Sequence, residues 1–327
     1  MAAAAGVSVP TVSQVLRGTG RISEATRVRV LQAAEDLHYV QDSRAAAMRS
    51  GDNREVGFVI NQLGNPFNAE VISGVVDSLE REGYLVSILD GRDDPDLQAN
   101  QLETFIKHGR CGLLWVPATK TPDRILRLLD RQRVPTVTFL RHIDDRFDHV
   151  GIRNCEATGL ATQHLIELGH TRLAYLGGDE MTTVRRDRIS GFERSLKAAG
   201  LRDAVVWPCA DNKLAGLEAT LRLIDTHRDI SALVCNGDMV ALGACSALQR
   251  LGKTPGRDIS VIGFDDIQDA AVATPALTTV CARPKELGAA LADLLLTRIA
   301  SPDAAPVRLQ LPAELIVRQT TGAKACY

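Results

Sequence analysis

A chain of 327 residues, 45% of them hydrophobic, has room for about two ordinary domains and a small extra module, and its apolar content excludes a disordered polypeptide. A formal net charge of −2 excludes a uniformly basic nucleic-acid binder, yet within residues 1–30 Arg17, Arg21, Arg27 and Arg29 stand against Glu24 alone, a local excess of three positive charges. Seven scattered cysteines without C-x-x-C spacing argue against a zinc site or a disulfide framework, no apolar run reaches the ~20 residues of a membrane span, and residues 1–5 lack the basic start of a secretory leader, so a cytoplasmic protein is expected.

The first predicted helix follows Ser8, whose hydroxyl is placed to accept a hydrogen bond from a backbone N–H of the next turn. Pro10 is tolerated there because a first-turn N–H has no helical partner. Val12, Val15 and Leu16 recur at helical spacing as one apolar stripe, while Thr11, Ser13, Gln14 and Arg17 face away and Gly18 ends the helix. Hydroxyl, amide and guanidinium groups on one helical face suit the donors and acceptors of a major groove, and a solvated surface helix is the even alternative at this point. A second helix opens at Ser23 as N-cap, with Val30, Leu31, Ala34 and Leu37 as its buried stripe. Residues 43–51, SRAAAMRSG, are alanine-rich with two arginines, and a helix so short is marginal in water until something orders it.

In this order, GVSVPTVSQVLRG, SEATRVRVLQAAEDLHYV and SRAAAMRSG resemble the DNA-binding headpiece and hinge of the LacI/GalR family of transcription regulators. The resemblance implies that Ser8, Thr11, Ser13, Gln14 and Arg17 meet bases and phosphates. It places Met48, flanked by Arg44 and Arg49, where the family has a hinge leucine, an apolar wedge inserted at a central base step. Two wedges are needed to kink a symmetric site, so the expected partners are a near-palindromic double-stranded DNA operator and a second copy of the chain. The family commonly has arginine where Gln14 stands, and glutamine pairs with adenine rather than guanine. The resemblance also calls for a longer helix ahead of Gly6 than residues 1–5 can form.

From Val56 onward, strands alternate with helices. Apolar runs predict strands over 56–60, 85–89, 112–116 and 136–139, with helices through Val71, Val75 and Leu79 and over 97–108 and 122–132. The rhythm restarts with helix 156–168, strand 172–176, helix 188–199, strand 204–207, helix 215–226, strand 232–234, helix 238–251 and strand 260–264. Helix 284–299 and strands near 307–310 and 314–317 complete the series. This alternation predicts an α/β protein with parallel, doubly wound sheets covered by helices on both faces. The body thus resembles a two-lobed, periplasmic-binding-protein-like core. That resemblance implies a helix-turn-helix headpiece at 1–42, a hinge and linker at 43–54, a first lobe from 55–151 plus 284–311, and a second from 152–283 plus 312–327.

Between two such lobes the default ligand site is the cleft, into which side chains just past the C-terminal ends of parallel strands point. Position selects Asn65 and Phe67 after the first strand, Asp90 after the second and Arg141 after the fourth. In the second half it selects Thr183, Arg186 and Arg188 after Leu176, Asn236 and Asp238 after Val234, and Asp265 after Phe264. The segments NPF at 65–67, RISGF at 188–192 and VIGFDD at 261–266 resemble the family's N-P-F, R-x-x-G-F and V-V-G-F-D-D, which implies ligand contacts from Arg188 and Asp265 and a stacking wall at Phe67. GDMVALG at 237–243 resembles N-D-x-x-A-L-G with Gly237 in place of asparagine, so Asn236 is a displaced candidate. A helix N-cap is the competing role for Asp238, and a lobe-spanning salt bridge that for Arg188. Arg141, Arg153, Arg185, Arg186 and Arg188 make the neighbourhood basic, and guanidinium forks bind carboxylate or phosphate. The expected effector is a small sugar, sugar acid or carboxylate.

No G-x-G-x-x-G after a strand, P-loop, G-x-S-x-G or H-E-x-x-H occurs in the sequence. Residues 177–180, GGDE, spell most of a nucleotide-cyclase signature but sit between a parallel-type strand and a helix rather than on a hairpin turn. Asp265-Asp266 is a metal pair or a ligand acceptor with equal claim, and the histidines show no ligand spacing. The expectation is a ligand-responsive repressor without cofactor, metal or catalysis. The alternative is a solute-binding protein of the same shape, which would need an export signal and no headpiece.

Overall fold

Residues 1–53 and 54–327 form separate units, and the computed structural model describes residues 1–16, 18–39, 53–178, 182–201 and 203–324. In the first unit, α1 (Ala2–Ala5) ends at Gly6, whose φ of 62° is left-handed, and α2 (Val9–Leu16) follows. Ser8 Oγ accepts the Thr11 N–H at 3.3 Å, and Val12 and Val15 are buried. Ser23 caps α3 (Glu24–Asp36) by accepting the Thr26 N–H, also at 3.3 Å. The buried stripe of α3 differs from the expected one. Val30 and Ala33 pack with Ala5, Val12 and Val15, whereas Leu31 and Leu37 are half exposed. Each helical residue advances by about 100°, so Leu31 turns off the face that Val30 buries, and Leu37 stands at the C-cap, beyond the last helical residue. Arg17, Arg44, Met48 and Arg49, with the predicted helix over 43–51, lie outside the described residues.

Two six-stranded sheets build the second unit. The first takes β1 (Glu55–Ile60), β2 (Leu85–Asp90), β3 (Gly112–Trp115), β4 (Thr136–Phe139), β5 (Asp148–Ile152) and β11 (Arg308–Leu311) in the order β11-β5-β4-β3-β1-β2, all parallel. The second takes β6 (Leu173–Leu176), β7 (Val205–Trp207), β8 (Ala232–Cys235), β9 (Ser260–Asp265), β10 (Thr278–Cys281) and β12 (Glu314–Ile316) in the order β12-β10-β9-β8-β6-β7. Only β12 runs antiparallel, on β10. The chain passes between sheets after Ile152, after Cys281 and after Leu311.

Around the first sheet lie α4 (Pro66–Arg81), α5 (Pro95–Lys107), α6 (Asp123–Arg131) and α12 (Pro284–Ala300); α7 (Asn154–Glu167), α8 (Thr183–Ala198), α9 (Lys213–Thr226), α10 (Asp238–Arg250) and α11 (Gln268–Val272) go with the second. Both faces of the first sheet are covered, which is why its strands read as unbroken apolar runs. Phe58, Ile60 and Leu114 pack with Phe67, Val71 and Val75 of α4, while the alternate residues Val59, Leu113 and Trp115 pack with Leu102, Phe105 and Leu129. Where α4 and α12 cross, a Cβ on Gly74 would lie 2.3 Å from Lys285 O and one on Gly288 2.2 Å from Val71 O, so only glycine permits this approach.

β5 and β10 are absent from the predicted strands because polar residues interrupt their apolar character. Asp148 is buried, yet its carboxylate accepts two hydrogen bonds from Arg298, at 2.7 and 2.9 Å, and one from the Val307 N–H. His149 is buried against Thr138, and burial pushes its pKa down to about 3, so the ring is neutral. Thr278 and Thr279 of β10 are likewise satisfied, by Thr321 and Asp238. Helix α8 begins five residues before its predicted start, since Thr182 caps it by accepting the Arg185 N–H at 3.1 Å.

Candidate functional site

A cavity of about 150 Å³ lies among the residues that follow the strands of both sheets. On the first side, Asn65 caps α4 through the Phe67 N–H at 3.1 Å, and this aims Phe67 into the wall, where it stacks on Phe139 with ring centres 6.5 Å apart. Behind it runs a buried chain of amides. Trp115 Nε1 donates to Gln98 Oε1 at 2.8 Å, Gln98 Nε2 to Asn61 Oδ1 at 2.7 Å, and the Asp93 N–H also reaches Asn61 Oδ1 at 3.1 Å. Asp93 in turn accepts hydrogen bonds from Arg141 and from Thr119. The sequence therefore fixes one arginine of the cavity through a network rooted in the core, and such fully satisfied networks are rigid.

The second side centres on Arg188. Its Nε donates to Asn154 Oδ1 at 2.8 Å, its Nη1 donates to the Asn236 carbonyl, and the guanidinium lies 3.5 Å over the Phe264 ring. Arg185, one turn earlier on the same helical face, donates from Nε to Gly177 O at 3.1 Å. Asn236 Oδ1 accepts from the Tyr175 hydroxyl at 2.7 Å, and its Nδ2 donates to both Asp211 oxygens. Asp265 ends β9 with φ at 118°, followed by Asp266 at 61°; such strained residues cluster at functional sites. Burial pushes the Asp265 carboxyl well above the usual carboxylate range, with Arg188 opposing. Burial likewise raises Asp238, which accepts from Thr279 Oγ1 at 2.5 Å and from the Ile267 N–H at 2.9 Å. The expected N-cap role of Asp238 is not what the structure has: Gly237 holds that position and Asp238 is the first helical residue. Three guanidinium groups (Arg141, Arg185, Arg188) thus share the lining with three carboxyl groups (Asp93, Asp211, Asp265).

On the first unit, Ser8 and, on α2, Gln14 are exposed and Thr11 and Ser13 partly so, while Val12 and Val15 are buried. The Ser8 and Thr11 hydroxyls hydrogen-bond each other at 2.9 Å.

A family model for bacterial regulatory proteins of the lacI family matches residues 1–42, and one for a periplasmic binding protein-like domain matches residues 162–321. The maltose regulon regulatory protein MalI of Escherichia coli K12 is 32% identical over 97% of this chain and 96% of its own length. The chain belongs to the lacI family of bacterial regulatory proteins. It is a DNA-binding transcription regulator of that family. Among solved structures, a CelR–cellobiose complex is 29% identical with a TM-score of 0.75, each chain covered to 98%. A Lac repressor dimer bound to operator, 24% identical with a TM-score of 0.87, shares the fold over 98% of both chains. The solute-binding alternative does not account for residues 1–42. No described helix is long and apolar enough to cross a membrane.

Of the residues that position alone selects, this lacI-family regulator gathers Asn65, Phe67, Arg141, Arg188, Asn236 and Asp265 around the cavity. Asp90, Thr183 and Arg186 are not among its lining residues. Asp90 ends the edge strand β2 and accepts the Arg92 N–H at 3.1 Å. Arg186 is exposed because it turns about 100° from Arg185 on α8, and Thr182 and Val184 line the cavity where Thr183 does not. Asp266 is tied to Arg318 at 2.7 Å, so the two carboxylates of the Asp265-Asp266 pair do not act together. Arg153 pairs with Glu156 outside the cavity, at 3.6 Å. Asn61, Asp93 and Asp211 were not selected by position. Asn61 follows β1 directly, a signal the strand-end rule contains, whereas Asp93 and Asp211 sit in loops whose course the sequence does not give. Asp179 and Glu180 of the GGDE segment lie outside the described residues.

Proposed function

We propose that the effector is a small, neutral, polyhydroxylated molecule of about one ring, held by Phe67, Arg141, Arg188 and Asp265, with Asn65 and Asn236 supporting the walls. The observation that carries this reading is the mixed lining, three arginines interleaved with three aspartates. Hydroxyls both donate and accept, which suits such a lining, whereas a carboxylate ligand would face Asp93 and Asp211 as like charges. The arginines that favoured an acid in the sequence are engaged: Arg141 donates to Asp93 and, at 3.1 Å, to Pro117 O, and Arg188 to Asn154 and Asn236. The cavity is far below the roughly 300–1,000 Å³ of a drug-sized pocket, which favours a single ring. An aromatic wall at Phe67 suits the apolar face of a sugar ring, and the CelR structure at 29% identity holds a sugar.

Ligand occupancy acts on transcription by binding two states of the protein with different affinity, so that operator affinity changes in return. Ser8, Thr11, Ser13 and Gln14 of α2 face the operator in this reading, joined on sequence grounds by Arg17 and by Arg44, Met48 and Arg49. The protein works as a repressor in the cytoplasm and performs no catalytic step. Calorimetry with D-glucose, D-ribose, cellobiose, D-gluconate and succinate tests the ligand class. Binding of a neutral sugar is expected, and binding of gluconate or succinate alone overturns it. Selection from random duplexes should return one near-palindrome, and no enrichment overturns the DNA assignment.

A further inference from the structure

We propose that Gly20 is a positioning residue for base reading: its bare Cα, in the turn after α2, backs the Gln14 amide, and a side chain there would push that amide off the base pair it reads. The proposal rests on the reading above in which Gln14 faces the operator. It starts from how α2 ends. The Thr19 N–H donates to Gln14 O at 3.0 Å and the Gly18 N–H to Val15 O at 3.1 Å, the paired hydrogen bonds of a Schellman ending. They fold the chain back along the last turn of the helix. Gly18 then holds φ at 65° and Gly20 at 84°, left-handed conformations that glycine adopts at no steric cost.

The two glycines share a backbone requirement but not a neighbour. A Cβ built on Gly18 has nothing within 4 Å among the described residues. One on Gly20 would lie 3.2 Å from both Cδ and Oε1 of Gln14 and 3.6 Å from its Cγ. These close atoms all belong to one exposed, flexible side chain, so an added methyl group displaces the amide and leaves the packing of Val12 and Val15 alone. Reading adenine requires the amide oxygen and nitrogen to meet N6 and N7 together. A long exposed side chain loses rotamer freedom in meeting that requirement. Backbone on one flank removes part of that freedom before DNA arrives, which is preorganisation.

Full-length wild type, Gln14→Ala, Gly18→Ala, Gly20→Ala and the double variant Gln14→Ala/Gly20→Ala are compared by competition between pairs of duplexes. Each pair carries the selected near-palindrome with adenine or guanine at one position, and the position at which Gln14→Ala loses preference is the one scored. Both duplexes compete for the same folded molecules, so partial unfolding cancels from the ratio. Gly18→Ala places alanine at positive φ without touching Gln14 and so controls for backbone strain. Wild type should prefer adenine by roughly 5- to 150-fold, the worth of one bidentate base contact. Gly20→Ala should cut that preference by more than about threefold, Gly18→Ala should leave it within about threefold, and Gly20→Ala should add nothing once Gln14 is alanine. A smaller cut, an equal cut in Gly18→Ala, or a cut that persists without Gln14 overturns the role of Gly20 and leaves Gln14 as the reader. If Gln14→Ala changes preference at no position, the reading of Gln14 falls and the proposal falls with it.

Discussion

Replacing Arg188 with methionine removes the hub of the second wall while keeping most of its length. Two charge-assisted hydrogen bonds disappear, to Asn154 and to the Asn236 carbonyl, each worth ~1.5–3 kcal/mol. The stack on Phe264, with 3.5 Å between guanidinium carbon and ring centre, is worth about 2 kcal/mol more when desolvated. Against this, the variant no longer carries the desolvation cost of a buried cation, which amounts to several kcal/mol. The net expected loss of stability is ~3–5 kcal/mol, the range for removing one member of a buried charged set. Urea unfolding followed by circular dichroism measures it. The loss should also depend on pH. Arg188 favours the ionised form of Asp265, so its removal should hurt more at the alkaline than at the acidic end of a range from about pH 4 to about pH 8, because burial favours the protonated carboxyl as pH falls. A loss below about 1 kcal/mol would refute the hub. A loss equal at both pH values would refute its electrostatic part.

Three other outcomes are expected. Asp265→Asn should flatten the pH dependence of stability: the folded wild type holds this proton above the ordinary carboxyl value of 3.8, so its contribution is present below that value and fades as pH rises through the raised folded value. Melts from about pH 4 to about pH 8 should therefore move in the variant's favour with rising pH, and the opposite slope counts against the buried, protonated carboxyl. Asp93→Asn frees the Arg141 fork and removes one negative charge from the lining, so D-gluconate should gain affinity relative to D-glucose in calorimetry; an unchanged ratio argues against the charge of the lining as the selector. Gln14→Arg should move operator preference at one base pair from adenine toward guanine by ~1–3 kcal/mol, read by competition between the two duplexes, and an unaltered preference removes Gln14 from the base-reading set.

The parallel rhythm was legible because doubly covered strands must be apolar throughout: 56–60 and 260–264 announce themselves, and Glu55–Ile60 and Ser260–Asp265 follow. β5 was hidden because Asp148 and His149 read as loop until Arg298, 150 residues away, is seen to satisfy the carboxylate. The strand-end rule found six lining residues, since it needs only the end of each strand. It erred at Arg186 because the true start of α8 lies at Thr183, and one residue of helical phase decides whether an arginine faces the cavity or water. Asp93 and Asp211 escaped because loop geometry, not periodicity, brings them in. The buried face of α3 was misread for a related reason: Ala33, small and unremarkable in sequence, joins Val30 in the cluster with Ala5, Val12 and Val15 in place of Leu31.

The three passages between sheets have a consequence for how the protein is made. Strand β11 borders the first sheet and β12 the second, so both halves finish at their rims only when residues 308–316 have left the ribosome. Neither half can be released complete by a single cut, and a nonsense codon before residue 308 would strip an outer strand from each at once.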